Sequence, residues 1–149
     1  MEFDEYAAFL GKAVQGVRPA LLKDMTKLGE IQTELAKREI IGHEVAAWQP
    51  LADATIAEKQ RLGFTGHVSG SDPLLRTGTL RDSIEFEIEP NAVAISLVLG
   101  SHDKVALFQE LGTATIPPRP FLATATLQSL PEAAEILGRT AADLLTPKA

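Results

Sequence analysis

An apolar stripe at helical spacing runs through the first part of the chain and most strongly constrains its fold. Its members stand three or four residues apart, as on one face of an α-helix: Phe3, Ala7, Leu10, Val14, Val17, Leu21, Met25, Leu28, Ile31 and Leu35. Gly16 and Pro19 interrupt the stripe in the order typical of a helix stop and a new start. We therefore predict a short helix over about 4–15 and a longer one over about 19–41. A single kinked helix or a coiled-coil seam is also compatible with this spacing.

A second stretch alternates with a period of two, which is typical of half-buried β-strands. Its first strand places Ile84, Phe86 and Ile88 between Glu85, Glu87 and Glu89. After a turn at Pro90-Asn91 the second strand carries Val93, Ile95, Leu97 and Leu99. We predict a hairpin over about 83–99 with a solvent-facing row of glutamates. Helices must cover its apolar face, because an isolated hairpin is marginal in water.

The remaining segments are predicted to be helices and loops. Trp48 is expected to anchor the core beside a helix over about 50–61, so that the N-terminal helical region covers about 3–61. A long loop follows over about 62–78, predicted to become ordered against a neighbouring subunit. Thr77 is a candidate cap for a turn through 80–83. Residues 113–118 are a candidate third strand.

The C-terminal helices are predicted over about 104–145. Asp103 is a good cap for a helix from Lys104 to Leu111 that would bury Val105, Phe108 and Leu111. Two proline-initiated helices should follow over about 120–129 and 131–145. The fold class is therefore α+β, a small antiparallel sheet built on a central hairpin with N-terminal and C-terminal helices packed on one face. The length of 149 residues fits a single domain.

Composition excludes several classes of function. The net charge of −6 argues against a general electrostatic footprint for nucleic acid, so protein partners are expected. Without cysteine there are no disulfides or thiolate metal sites, and the three histidines stand far apart in sequence. We predict no cofactor and no metal. The acidic start is unlike a secretory signal, and no apolar run reaches the length of a membrane helix.

Two loop motifs suggest other activities. His67, Ser69, Ser71 and Asp72 contain the residue types of a hydrolase site, and a small hydrolase using the His67–Asp72 loop is the alternative from another class. Side chains so close together in one loop cannot easily align as nucleophile, base and orienting group. We therefore favour an ordinary polar loop over a catalytic site. Gly63 to Gly66 matches the GXXG clamp of an RNA-binding fold, but it lacks the basic surroundings that such a clamp needs.

The most informative strings lie near the C-terminal third of the chain. Phe108-Gln109-Glu110-Leu111-Gly112-Thr113 describes a helix stopped by glycine, and Gly112 is predicted to hold a positive φ at the C-cap. Ile116-Pro117-Pro118-Arg119-Pro120-Phe121-Leu122 describes a stiff connector and a new helix. Presented from such a backbone, Arg119 suits an exposed contact with a partner's carboxylate or an internal ion pair with Glu110 or Asp82.

Together these strings resemble a family of small tailed-phage neck, tail-completion or virion-morphogenesis proteins. Two upstream strings are similar to the same family: Trp48-Gln49-Pro50-Leu51-Ala52 with Thr55 and Lys59, and Pro73 to Ile84. The resemblance covers about 48–125. The positions that carry it and are implied in folding or assembly are Trp48, Pro50, Leu51, Leu75, Thr77, Gly78, Leu80, Ser83, Ile84, Phe108, Glu110, Gly112, Thr113, Pro118, Arg119, Pro120 and Phe121.

The resemblance implies a structural role and not an enzymatic one. The expected protein is a subunit of a homo-oligomeric ring at the head–tail junction of a virion, assembled in the host cytoplasm. Its partners would be a head-side connector or stopper protein and a tail-tube or tail-terminator protein. DNA would pass through the lumen without sequence-specific contacts. A tail-terminator ring protein is the alternative within this class.

Overall fold

The α+β fold is confirmed by the computed structural model, which describes residues 2–42, 48–64 and 72–147. In chain order the elements are α1 (Phe3–Gly42), α2 (Asp53–Arg61), α3 (Thr79–Asp82), β1 (Ile84–Pro90), β2 (Ile95–Ser101), α4 (Lys104–Leu111) and α5 (Leu122–Leu145). Over the described part of the chain the sheet has two antiparallel strands, and α1 and α5 pack against it. None of the described helices is long and apolar enough to cross a lipid bilayer.

The two long helices are continuous, so the predicted breaks at Gly16–Pro19 and before Pro131 are wrong. An interior proline removes one helical hydrogen bond and crowds the carbonyl four residues earlier. Pro19 and Pro131 both lie on exposed faces of their helices. Water can therefore bond the carbonyls that lose their donors, and the packing of the opposite face keeps each helix whole.

Helices α1 and α5 run antiparallel. Near one end of the pair, Gln32 Nε2 donates a buried hydrogen bond of 2.9 Å to Ser129 Oγ. Near the other, a methyl of Leu144 lies against Gly16. The main core lies beyond Gln32, where Ala36 and Ile40 of α1 meet Phe121 and Ala125.

The hairpin packs its apolar face on α1. Phe86 pairs with Leu99, and Ile88 pairs with Leu97, in the antiparallel register. The Phe86 ring lies so close to the α1 backbone that a Cβ on Gly29 would come within 2.2 Å of it. Glycine at this position therefore lets the sheet approach the helix, a requirement that the periodicity of the stripe does not reveal.

The opposite face of β1 carries Glu85, Glu87 and Glu89, which are exposed as predicted. The turn at Pro90-Asn91 is also confirmed: Asn91 Oδ1 accepts hydrogen bonds from the backbone N–H groups of Val93 and Ala94. Val93, predicted to lie in the second strand, is instead an exposed turn residue, because these bonds use its N–H within the turn.

The shorter segments differ from prediction mainly at their starts. Helix α2 begins at Asp53 and not at residue 50, since Ala52 still has extended backbone angles. The N-cap position of α3 is Gly78. The Thr77 hydroxyl nevertheless accepts a long bond of 3.4 Å from the Thr79 N–H, the first of α3, and lies 2.7 Å from the Thr79 hydroxyl. Residues 113–118 form a turn and an irregular connector, so the predicted third strand is wrong.

Candidate functional site

Glu110 holds the start of α5. Its Oε2 accepts hydrogen bonds from the backbone N–H groups of Phe121 at 2.8 Å and Leu122 at 2.9 Å, and its Oε1 accepts one from Ala123 at 2.8 Å. The first N–H groups of a helix have no partner within the helix and favour negative charge. Phe121, in the N-cap position, makes no side-chain cap bond. The carboxylate from α4 therefore takes over the capping that a local Ser, Thr or Asp usually provides.

Helix α5 accordingly starts two residues later than predicted. Pro120 stands before the N-cap and not at the first helical position. Its carbonyl accepts a bond of 2.7 Å from Thr124 Oγ1. Phe121 is fully buried and belongs to the core.

The reversal of the chain after α4 depends on Gly112, and the predicted positive φ at this C-cap is confirmed. Its φ of 74° and ψ of 175° fall in a region used essentially only by glycine. A Cβ here would lie 2.9 Å from Ile116 O and from Pro118 N. Thr113 closes the same turn, with its N–H donating to Ile116 O at 2.8 Å and its hydroxyl accepting from Ile116 N at 3.0 Å.

Arg119 is buried, only 5% exposed, so its predicted role as an exposed interface arginine is wrong. Its Nη1 donates to Gln109 Oε1 at 3.4 Å and its Nη2 to Gln49 O at 3.3 Å, while its backbone N–H donates to Gln109 O at 2.6 Å. Burial lowers the pKa of the guanidinium from its ordinary value, but an arginine stays charged at neutral pH.

The alternative of an internal ion pair is wrong as well, within the described ranges. Glu110 is engaged by the backbone of α5, and Asp82 by Arg81 at 2.8 Å. Arg119 instead joins α4 to the segment before α2 through amide oxygens. Both bonds use a neutral amide oxygen, so neither partner is a second buried charge, and Arg119 Nε has no hydrogen-bond partner among the described residues.

The two upstream strings are joined by a second buried cation. Lys59 of α2 donates to the carbonyl oxygens of Asp72 at 2.6 Å and Leu75 at 2.9 Å. Burial lowers the pKa of the Lys59 ammonium, and the neighbouring Asp72 opposes that shift. Together with Arg119, this lysine ties residues 49, 59, 72, 75 and 109 into one unit.

A groove of about 720 Å³ opens between these strings. Its apolar lining includes Pro50, Leu51, Leu62, Ile116 and Pro117. Among the described residues its cationic lining is Lys59, Arg76 and Arg119, and its acidic lining is Glu58. Glu58 pairs with Arg61 at 2.8 Å, which lowers the pKa of the carboxyl group.

The other residues of the strings mostly serve the fold. Leu80 and Ile84 belong to the buried core, and Trp48 packs against it as predicted. Ser83 Oγ lies 2.6 Å from Leu80 O and 2.6 Å from Ser101 Oγ, which ties α3 to the end of β2. Gly78 has a φ of 88°, which only glycine adopts without strain. Pro118 is exposed in the connector.

Helix α4 presents its apolar residues outward, contrary to prediction. Asp103 caps it as expected, its Oδ1 accepting from Val105 N at 2.9 Å. The predicted burial of Val105, Phe108 and Leu111 is wrong, since all three are exposed together with Leu107. The buried residue is Ala106, while Gln109 and Glu110 face the protein because they bond Arg119 and α5. The polar residues Gln109 and Glu110 are the only sign of this orientation in the sequence of α4, and their hydrogen-bond partners lie ten or more positions further along the chain.

The loop residues considered for catalysis and RNA binding are only partly described. His67, Ser69, Ser71, Thr65 and Gly66 lie outside the described residues. The part of the predicted loop over 62–78 that lies outside the described residues is 65–71. Asp72 is described and is buried, 2% exposed. Among the described side chains no group of three His, Asp or Glu converges as metal ligands would.

Comparisons of this chain with family models, curated proteins and solved structures give no match. The likeness to tailed-phage neck proteins therefore stays a prediction that depends on the three strings themselves.

Proposed function

We propose that this chain is a structural subunit of the head–tail junction of a tailed phage or related particle. It would act as a tail-completion protein that assembles into a homo-oligomeric ring and joins the tail to the head. Its function would be docking and not catalysis. The partners would be a head-side connector or stopper and the tail tube or its terminator, with DNA passing through the lumen.

The observation that carries this proposal is that the three resembling strings form one physical unit. Lys59 of the first string donates hydrogen bonds to two carbonyl oxygens. One is that of Asp72, directly before the second string, and the other is that of Leu75, within the second string. Arg119 of the third bonds Gln49 of the first. Gln49 and Arg119 lie 70 positions apart in the sequence, so the first and third strings are neighbours only because of the fold.

Exposed apolar side chains on the helices give independent support. Leu107, Phe108 and Leu111 are exposed on α4, and Phe3 and Val14 on α1. Contiguous apolar surface of this kind usually marks a protein–protein contact. A subunit that works only within an assembly needs such surfaces, whereas a small soluble enzyme does not.

Disruption of the coding gene in the particle that carries it tests the proposal. We expect DNA-filled heads and tails of normal length that remain separate, with joining restored by the wild-type gene. Tails of excessive length would instead identify a tail terminator, because such a ring ends tube growth. Joined, infectious particles without this protein would refute both roles.

A matched control uses the same disruption complemented by a Val93→Asp variant. Val93 is 95% exposed at the hairpin turn and belongs to none of the three strings and to neither exposed helix face. Joining should be restored fully by this variant, which shows that expression and folding of a charged variant are not limiting.

A further inference from the structure

The N-terminal part of α1, before Ala13, extends beyond the end of α5. At 1.5 Å per residue, α1 is about 60 Å long and α5 about 36 Å. Because Leu144 contacts Gly16 and Ser129 bonds Gln32, α5 covers α1 only from about residue 16 onward. The apolar stripe nevertheless continues to the start of the helix.

We call the uncovered part the α1 stripe, formed by Phe3, Tyr6, Leu10 and Val14. Phe3 is 83% exposed and Val14 72%, and the Tyr6 ring stacks on Phe9. The apolar stripe extends beyond the part of α1 that α5 covers. We expect a partner to pack on the remaining part, because apolar helix faces are usually buried.

Helix α4 carries the second uncovered surface. We call it the α4 stripe, formed by Val105, Leu107, Phe108 and Leu111. Leu107 is 59% exposed and Leu111 70%. The inward face is fixed by the bonds of Gln109 and Glu110, so the helix cannot turn its apolar face inward without breaking them.

The charges around the two stripes are complementary. Glu2, Asp4 and Glu5 flank the start of the α1 stripe. The exposed face of α4 has Lys104 as its only charged residue, since the Glu110 carboxylate bonds α5. The eight residues of the two stripes are between 37% and 83% exposed, and covering all of them would remove on the order of 800 Å² from solvent, which is the low end of the interface sizes of protein complexes.

We propose that the α1 stripe of one copy packs on the α4 stripe of the next. This one contact covers both surfaces. Because the two stripes are different surfaces of the same chain, the contact is head-to-tail. Such contacts close into a ring when the rotation from one copy to the next completes a full turn, and otherwise they form an open filament. The inference rests on the proposed homo-oligomeric ring but not on its place in a particle.

Two double variants test the pairing. Leu10→Lys with Val14→Lys disrupts the α1 stripe, and Leu107→Lys with Leu111→Lys disrupts the α4 stripe. All four positions are exposed, and lysine is a good helix former, so both variants should fold. Lysine on both stripes also prevents the two altered surfaces from attracting each other. Circular dichroism checks the fold, and Val93→Asp is the control.

Sedimentation and light scattering then give the mass of each species. We expect an oligomer for the wild type and for Val93→Asp, and the 16.0 kDa mass of a single chain for each double variant alone. A one-to-one mixture of the two variants should form a heterodimer of twice that mass and nothing larger. Each variant keeps one intact stripe, so the mixture allows a single contact that cannot propagate.

Every other pattern overturns the pairing. A dimer of the α4 variant alone would show that α1 pairs with α1, and a dimer of the α1 variant alone would show that α4 pairs with α4. Wild-type oligomers that survive both variants would reject this interface but leave the ring intact. A wild type that stays monomeric at all concentrations would reject this contact between copies, whereas the proposed function is tested on its own by disruption of the gene.

Discussion

Replacement of Glu110 by alanine should destabilise the domain more than any other single change at an exposed or half-buried carboxylate. The variant removes the acceptor of three backbone N–H groups at the start of α5. The hydrogen bonds from the N–H groups of Phe121 and Leu122 are partly buried, and the bond from the N–H of Ala123 is exposed. Water can replace the acceptor fully only at Ala123.

The magnitude follows from these three bonds. A lost N-cap costs about 0.5–2 kcal/mol, and a carboxylate in a favourable position at a helix N-terminus contributes up to about 2 kcal/mol more. We therefore expect the free energy of unfolding to fall by about 2–4 kcal/mol for Glu110→Ala. For a chain of this size that corresponds to a fall in Tm on the order of 5–15 °C.

Glu110→Gln separates the charge from the shape of the cap. The amide keeps one oxygen, which can serve Phe121 and Leu122, but it places an NH2 group against the N–H of Ala123. We expect a loss of about 1–2 kcal/mol, roughly half that of alanine.

Urea unfolding followed by circular dichroism measures both variants, with Glu132→Ala on the exposed face of α5 as the control. Glu132→Ala should change the stability by less than about 0.5 kcal/mol. If Glu110→Ala costs no more than this control, the capping role is wrong and α5 does not need the carboxylate of α4.

Three further variants probe the same junction and the contact between hairpin and helix, each by chemical denaturation. Gly112→Ala should lower the free energy of unfolding by about 3 kcal/mol, because it adds steric contacts to a conformation that only glycine adopts. Gly138→Ala, in open space on α5, should raise it by up to about 1 kcal/mol. Equal effects of the two variants would contradict this reasoning. Arg119→Ala should lower the free energy of unfolding of the monomer by about 1–3 kcal/mol. An unchanged free energy of unfolding would show that the buried hydrogen bonds of Arg119 are dispensable. Gly29→Ala should cost about 1–3 kcal/mol through its clash with Phe86, and Phe86→Leu should relieve part of that cost; purely additive losses would argue against the close approach.

Local patterns in the sequence were sufficient for the element types and the fold class. The alternation of Ile84, Phe86 and Ile88 predicts a strand with one wet face, because side chains in a strand repeat every two residues. Asp103 predicts the start of α4, and Gly112 its end, because both act through backbone groups only one to three residues away. Such short-range rules do not depend on the rest of the fold.

The failures involve partners far away in the sequence. Local rules place helix breaks at Pro19 and Pro131, but the packing of α1 on α5 outweighs the lost hydrogen bonds. The roles of Glu110 and Arg119 depend on residues 10 to 70 positions away. No local pattern distinguishes a carboxylate that caps another helix from one that faces water.

The errors on α4 have a more general cause. The apolar character of Phe108 and Leu111 predicts that both side chains are buried in the interior of the domain. The structure gives the interior side to Gln109 and Glu110 because they hold the next helix and Arg119. Neighbouring residues of this short string thus have different roles. Gln109 and Glu110 form hydrogen bonds inside the domain, Phe108 and Leu111 form an apolar outer face, and Gly112 sets the turn. The contacts of Gln109 and Glu110 therefore decide which side of α4 faces the domain, and the positions of the apolar residues in the sequence do not.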